Sequence, residues 1–360
     1  MLTVVASAPG KAFVTGEYAV LCGEPAIVMA VRKYLTCRLR VRPGPSELIL
    51  HGAAGLVHVP LAQETAHGIP SDVRFLAAAG LVAARHLGLH DVSLDWMTSS
   101  ELDGRHGKLG LGSSGAVTAA AIAAIFGAFR PQEALEASLS IRVALGVQAH
   151  RLAQGGGSGA DVVASTSGGL VWLSNLEGAN FATTVTACVE RARASAVSAK
   201  RLDALPETLT LELVGTGESA SSGPRVARFL ARANDPTLQQ WARAMGRQGT
   251  AFVAACERQD GPGTLLAMQC AGRYLARLGG IAGLPIFRPR LRKACALARA
   301  YGAAKPSGAG GGDCAVALVP RPQVLALRED WRRAGLEPLC VELDLAGAAL
   351  QNDRRESLHA

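Results

Sequence analysis

The stretch KLGLGSSG at residues 108–115 sets small, flexible residues and two hydroxyls directly ahead of a long alanine-rich run. The run has strong helix formers, no proline and no charge, which predicts a buried helix. The first turn of a helix has backbone N–H groups without partners and carries partial positive charge, and glycines let a ligand approach it closely. The stretch therefore predicts an anion site, where the serine hydroxyls add donors or a magnesium ligand.

The same residue types also fit a plainer structure, a glycine turn followed by a serine-capped core helix. The stretch is not a Walker A loop, because no Gly-Lys-Ser/Thr sequence closes it, and it lacks the strand-linked spacing of a dinucleotide fingerprint. Whether this stretch binds an anion therefore depends on which residues from other parts of the chain lie beside it.

Three other features could act on a bound anion. Lys11 follows Pro9-Gly10 between two strand-like segments, a second glycine loop, KPSGAGGGDC, begins at Lys305, and Asp161 is the only acid within residues 137–176. Each alone has an ordinary explanation, respectively a solvated strand-edge lysine, a flexible turn and a helix N-cap. Their combination is what indicates a functional site.

Whole-chain composition limits the classes of function. The chain has 360 residues, 49% of them hydrophobic and 18% charged, which predicts a compact globular protein of two domains. A formal charge of +8 favours anionic partners, but dispersed arginines and 4% aromatic residues argue against nucleic acid. Eight scattered cysteines without a CxxC pair predict reduced thiols and a cytoplasmic location.

No part of the sequence predicts membrane association. The first ten residues lack the basic start of a secretory signal, and Pro9-Gly10 interrupts them. The longest uncharged apolar run, residues 115–129, is shorter than the roughly 20 residues of a membrane span. We therefore expect a soluble protein.

Residue patterns predict strands at the start of the chain, followed by helices, and then further strands and helices. A change in composition near residue 190 predicts a domain boundary there. Strands are predicted at residues 2–6, 12–21, 35–41, 169–173, 208–217 and 314–320, and helices at 73–86, 115–129, 133–153, 224–233, 238–256, 263–278 and 289–301.

Taken together, the motifs resemble those of the GHMP kinase superfamily, which includes galactokinase, homoserine kinase, mevalonate kinase and phosphomevalonate kinase. A Pro-Gly-Lys segment, a Gly-Leu-Gly-Ser-Ser loop and a Gly-Ala-Gly-Gly-Gly loop occur here in the order that the family has. Within the superfamily the phosphomevalonate kinase branch is most similar. GEYAVL carries Tyr18 where mevalonate kinases usually have histidine, GSGADV replaces their Pro-Ser-Gly segment, and the last motif includes Asp313 and Cys314.

The resemblance implies an α+β fold of two domains with an active site in the cleft between them. Residues 1–190 would form an N-terminal domain similar to domain 2 of ribosomal protein S5, and residues 191–360 a ferredoxin-like C-terminal domain. The residue patterns alone support two mixed domains but not this topology.

The resemblance also implies the reaction, transfer of the γ-phosphate of ATP to 5-phosphomevalonate in the mevalonate pathway, with ATP and Mg²⁺ as cofactors. The partner would be a small anionic substrate, and the protein a monomer or homodimer. Phosphoryl transfer depends mainly on positioning and charge stabilisation. The residues implied are Lys11 and Asp161 for catalysis; Lys108, Gly110, Leu111, Gly112, Ser113, Ser114 and Gly115 for ATP, with Ser114 on the metal; and Lys11, Glu17, Tyr18, Ser158, Lys305, Ser307, Gly308 and Ala309 for the acceptor.

Two questions stay open at this stage. Mevalonate kinases carry a magnesium-binding glutamate on the helix before the catalytic aspartate, whereas residues 142–160 here contain no acid and the comparable position is His150. The motifs also report ATP binding better than acceptor identity. The alternatives are therefore mevalonate kinase or another small-molecule kinase of the superfamily, and a non-catalytic ligand-binding protein that keeps the fold.

Overall fold

The computed structural model describes residues 2–104, 107–132, 138–176, 181–194, 197–202, 204–220 and 222–351, with the backbone alone for residues 107 and 108. The strands in chain order are β1 (Leu2–Thr15), β2 (Ala26–Pro43), β3 (Glu47–Gly52), β4 (Gly55–Pro60), β5 (Val92–Ser100), β6 (Asp103–Gly104), β7 (Gly107–Lys108), β8 (Leu170–Ser174), β9 (Ser198–Leu202), β10 (Leu209–Gly215), β11 (Ala303–Pro306), β12 (Cys314–Pro320), β13 (Glu337–Pro338) and β14 (Ala349–Leu350). The helices are α1 (Arg74–Leu87), α2 (Ser113–Phe129), α3 (Leu139–Gln154), α4 (Ala160–Ser167), α5 (Val185–Ala194), α6 (Gly223–Leu230), α7 (Pro236–Glu257), α8 (Gly261–Ala282), α9 (Pro289–Arg299) and α10 (Val324–Arg333).

The first sheet contains β1, the strand that carries Lys11. Its strand order is β14-β1-β2-β5-β3-β4, and β8 joins β2 to β9. The pairs are antiparallel except β3 with β5. Helix α2 packs on β1 and β2, and α1, α3 and α4 pack on α2. The predicted buried helix is confirmed, because every residue from Ala119 to Phe126 is buried.

Strand β1 differs from the prediction of two strands separated by a Pro-Gly turn. It runs unbroken through Pro9 and Gly10, with an irregularity in its pairing to β2 between these two residues. Proline has no N–H to donate to the ladder. A bulge leaves a residue without a ladder partner, so proline is tolerated there. The second predicted strand also ends early, since residues 19–21 form a 3₁₀ turn. Lys11 therefore lies on a rigid strand and not in a turn.

The second sheet has the order β11-β12-β10-β13, with every pair antiparallel. Helix α9 packs against β11 and β12, and the antiparallel pair α7 and α8 joins this sheet to the first one through contacts with β1 and β12. The four helices predicted beyond residue 220 are confirmed as α6 to α9. The mixed α+β fold is thus as predicted.

The domain boundary near residue 190 stays a prediction. Helix α5 runs through that residue, and β9 pairs with β8 in the first sheet. Near the end of the chain, β14 returns to pair with β1. Residues 133–137 of the predicted helix at 133–153 lie outside the described residues, and the rest corresponds to α3. Across the described ranges no helix combines the length and the apolar character that a bilayer span requires.

Candidate active site

Two adjoining cavities that share part of their lining form a cleft. The small chamber has a volume of about 120 Å³ and the large chamber about 700 Å³. The large chamber is within the usual range for sites that hold drug-sized ligands. The residues that line both chambers are Lys11, Gln154, Asp161, Ser222, Gly308 and Ala309.

The glycine-serine loop forms one wall of the large chamber. Gly110 through Ser114 line it, and helix α2 begins at Ser113, so the N-terminus of this helix is at the cavity wall. The Lys11 amide donates to the Leu111 carbonyl at 2.7 Å, which fixes the loop to β1. Gly115 brings α2 close to α4, since a Cβ there would lie 3.0 Å from the Cβ of Asp161. The side chain of Lys108 lies outside the described residues.

Lys11 is the point at which the three glycine-containing motifs meet. Its ammonium donates to the Gly110 carbonyl at 3.3 Å and lies 5.6 Å from the centre of the Phe13 ring. Its methylene chain packs against Gly112, and its Nζ faces Gly308, where a Cβ would lie 4.0 Å away. The side chain is only 9% exposed. The structure therefore holds one positive charge at the junction of the two chambers.

Asp161 lies at the same junction, on the second residue of α4. Its Oδ2 is 3.3 Å from Nε2 of His150, and the same nitrogen is 3.2 Å from Oγ of Ser114. Burial favours the neutral acid, but the charges of His150 and Lys11 and the hydrogen bonds from His150 and Val162 outweigh it. The pKa of Asp161 therefore lies well below its usual range, and the side chain is ionised at neutral pH.

The C-terminal motif is fastened to the start of the chain by two hydrogen bonds. The Phe13 amide donates to Oγ of Ser307 at 2.8 Å, and the Tyr18 hydroxyl donates to the Ala309 carbonyl at 2.8 Å. Burial raises the pKa of the Tyr18 phenol, so it remains a neutral donor. These contacts place Gly308 and Ala309 in the lining of both chambers.

Lys305 does not reach the cleft in the way the resemblance implies. Its side chain is fully buried, and its ammonium forms an ion pair with Glu17 and donates to the Pro306 carbonyl at 3.0 Å. Because the Lys305 ammonium is already paired inside the protein, we do not expect it to bind an acceptor directly. Glu17 does line the small chamber, and its second carboxylate oxygen has no hydrogen-bond partner within the described ranges.

Ser158 lies in the glycine-rich loop that leads into α4 and lines the small chamber. Its hydroxyl accepts from the Ala160 amide at 3.3 Å. The buried guanidinium of Arg151 donates to the carbonyls of Gly157 and Ser158 at 2.8 and 3.0 Å, and so fixes the path of the loop. This loop, held by Arg151, and strand β1 therefore form two sides of the small chamber.

Several lining residues have no signal that sequence reasoning used. Gln154 ends α3, Ser222 precedes α6, and Ser71, Arg74 and Phe75 stand at or before the start of α1. A serine ahead of a Pro-containing helix start marks Ser222, whereas nothing in the sequence distinguishes the others. In the sequence His150 stands out only because mevalonate kinases have an acid at the comparable position, and its contacts require the packing of α3 against α2 and α4.

Gly112 offers a test of how closely the loop must approach Lys11. It has a φ of 76°, and a Cβ would lie 2.7 Å from Cε of Lys11. We expect Gly112→Ala to lower kcat of the expected phosphoryl transfer about tenfold. The added methyl group displaces the Lys11 ammonium and also strains the backbone. Gly88→Ala is the matched control, with a φ of 67° and no atom near the added Cβ. Steady-state kinetics should show unchanged kcat for the control, and equal kcat values in the two variants would contradict the close packing.

Comparison with known proteins identifies the family of the chain. Residues 74–169 match the family model "GHMP kinases N terminal domain", and residues 264–336 match "GHMP kinases C terminal". A curated protein named phosphomevalonate kinase, from Streptomyces sp. (strain CL190), is 33% identical, with 96% of this chain and 98% of that protein covered. The chain belongs to the GHMP kinase family.

Solved structures show that this GHMP kinase shares its fold with other proteins over nearly the whole chain. The Lin0012 protein from Listeria innocua has a TM-score of 0.82 at 23% identity, covering 97% of this chain and 99% of that one. Streptococcus pneumoniae phosphomevalonate kinase, solved with phosphomevalonate and AMPPNP, has a TM-score of 0.74 at 21% identity, covering 95% and 100%. The family assignment from the sequence, and its similarity to phosphomevalonate kinases, are thus confirmed.

Proposed function

We propose that this GHMP kinase transfers the γ-phosphoryl group of ATP to 5-phosphomevalonate and forms mevalonate 5-diphosphate and ADP. The observation that carries the proposal is the meeting of two chambers at Lys11 and Asp161, with the glycine-serine loop in the wall of the larger one. The 33% identity to a phosphomevalonate kinase over almost the full chain supports the choice of acceptor. The substrates are small anions, which the chain would meet in the cytoplasm.

The two chambers suggest a division of the substrates. The nucleotide would lie in the large chamber, with its phosphates against residues 110–115 and the N-terminus of α2. The acceptor would lie in the small chamber, against Glu17, Tyr18 and Ser158. An oxygen of the acceptor phosphate attacks the γ-phosphorus, the bond from that phosphorus to the β–γ bridging oxygen breaks, and the electron pair leaves with ADP.

Lys11 would supply the charge that such a transfer needs. It lies between the two chambers, where the acceptor phosphate and the ATP tail would repel each other. A positive charge that is already fixed there stabilises the transferring group without reorganisation. Ser307, Gly308 and Ala309 would close the same junction from the C-terminal side, with Gly308 allowing close approach.

Asp161 would orient charge and would not take up a proton. The second pKa of a phosphate monoester is about 6, so the acceptor is largely dianionic at neutral pH and needs no general base. Asp161 lies beside His150 and is influenced by the charge of Lys11. Its carboxylate can therefore hold the cations in place while the acceptor attacks.

Mg²⁺ fits the donors that are present. Ser114 Oγ and the Asp161 carboxylate both lie within 3.3 Å of Nε2 of His150, and both are hard oxygen ligands. Within the described ranges no cluster of three or more His, Cys, Asp or Glu residues could hold a metal. Ser114, with Asp161 nearby, would therefore hold an ion that keeps phosphate oxygens and waters as its other ligands, and the ion would offset charge on the ATP phosphates.

An ADP-release assay with two acceptors tests the proposal. The purified protein is supplied with ATP and Mg²⁺ and either 5-phosphomevalonate or mevalonate, in parallel. We expect ADP release with 5-phosphomevalonate and little with mevalonate. Turnover of mevalonate alone would favour another kinase of the family, and absence of turnover with every acceptor of the family would favour a ligand-binding protein.

A further inference from the structure

His150 joins two parts of the site through a single atom. Its Nε2 lies 3.2 Å from Oγ of Ser114 at the start of α2 and 3.3 Å from Oδ2 of Asp161 at the start of α4. One N–H on this nitrogen can be shared between the two oxygens. The imidazole therefore sets the distance between the residue proposed to hold the metal and the residue proposed to orient Lys11.

The His150 ring lines the small chamber but is almost entirely enclosed by protein. The His150 side chain is 2% exposed, and its face lies against Phe75 with the ring centres 4.8 Å apart. Its other nitrogen, Nδ1, has no hydrogen-bond partner in the part of the chain that the structure describes. The polar contacts of the ring are thus directed to Ser114 and Asp161.

The charges around the ring explain why the residue type matters. The acids among the described residues that line the chambers are Glu17, Asp161 and Asp313. Glu17 is paired with Lys305, and the field of Lys11 acts on Asp161. A carboxylate at position 150 would put another negative charge within contact of Asp161, at the place where a nucleotide tail and an anionic acceptor must meet. An imidazole makes the same contacts and is never negative.

We propose that His150 is a positioning residue that fits the site to an acceptor carrying a phosphate, because it holds Ser114 and Asp161 in place without adding negative charge. The inference rests on the proposed transfer to 5-phosphomevalonate and names the residue that adapts the site to that acceptor. His150 acts through its two neighbours and takes no part in bond making.

Two variants of nearly equal size separate charge from contact. His150→Gln keeps a donor that can reach both oxygens, whereas His150→Glu has the same shape with a negative charge. We expect the KM for 5-phosphomevalonate to be about tenfold higher in the Glu variant than in the Gln variant, and the KM for ATP to differ less. A purely structural role of the ring would change both variants alike.

His150→Leu tests the contact itself, and it does not depend on whether the Glu variant folds. Leucine fills a similar volume but cannot donate, so we expect kcat to fall about tenfold while the acceptor KM changes little, and Gln to restore most of the loss. Thermal unfolding and circular dichroism of each variant verify that it folds.

The outcomes for the inference and for the proposed function are distinct. Absence of turnover of 5-phosphomevalonate by the unaltered protein overturns the proposed function and this inference with it. Normal turnover by the unaltered protein, with equal acceptor KM values for the Gln and Glu variants, overturns the inference alone. Full kcat in the Leu variant also overturns it.

Discussion

Lys11→Met is expected to lower the turnover of 5-phosphomevalonate by about 10²–10³-fold, the loss typical of removing one preorganised electrostatic contact from a reacting centre. Methionine replaces most of the lysine chain, so packing against Gly112 is retained and the charge is lost. No other lysine among the described residues lines either chamber. The measurement is kcat from ADP release at saturating concentrations of both substrates.

Asp161→Asn gives the comparison that assigns roles to the two groups. If the carboxylate orients Lys11 and the metal, its loss should cost about tenfold in kcat, below the roughly 10²–10⁴-fold that removal of a general base costs. Lys200→Met is the control for losing a lysine, because Lys200 is exposed and pairs with Glu257 at the surface. A larger loss for Asp161→Asn than for Lys11→Met would indicate proton abstraction and contradict the orienting role.

The parts of the site that the sequence predicts are those with a local signal. Gly110, Gly112 and Ser113 mark a tight approach to a helix N-terminus, and the uncharged run after them marks the burial of α2. Each feature depends only on residues that are close together in the sequence, in one turn or in one helix. For that reason they could be predicted without knowing which elements pack together.

The rest depends on contacts between residues far apart in the chain. Lys305 is an ordinary candidate for binding an anion until its partner is known, and that partner, Glu17, is 288 positions away. His150 is separated from Ser114 by 36 positions, and its role follows from the packing of three helices. Pro9-Gly10 is misleading for a related reason, because only the pairing of β1 with β2 shows a bulge where the local pattern predicts a turn.

The ion pair between Lys305 and Glu17 leads to the largest expected effect on stability. The two side chains are 0% and 2% exposed, and they join β11 to the segment just after β1. Removing one partner of a buried pair leaves the other charge uncompensated, which typically costs about 3–5 kcal/mol. We therefore expect Lys305→Met to lower the free energy of unfolding by about that amount.

Urea unfolding of four proteins tests this expectation. They are the unaltered chain, Lys305→Met, the double variant Lys305→Met with Glu17→Gln, and the surface control Lys200→Met. The double variant should regain much of the lost stability, because a neutral amide is less costly to bury than an unpaired carboxylate. Equal unfolding free energies for Lys305→Met and Lys200→Met would show that the buried ion pair does not stabilise the fold.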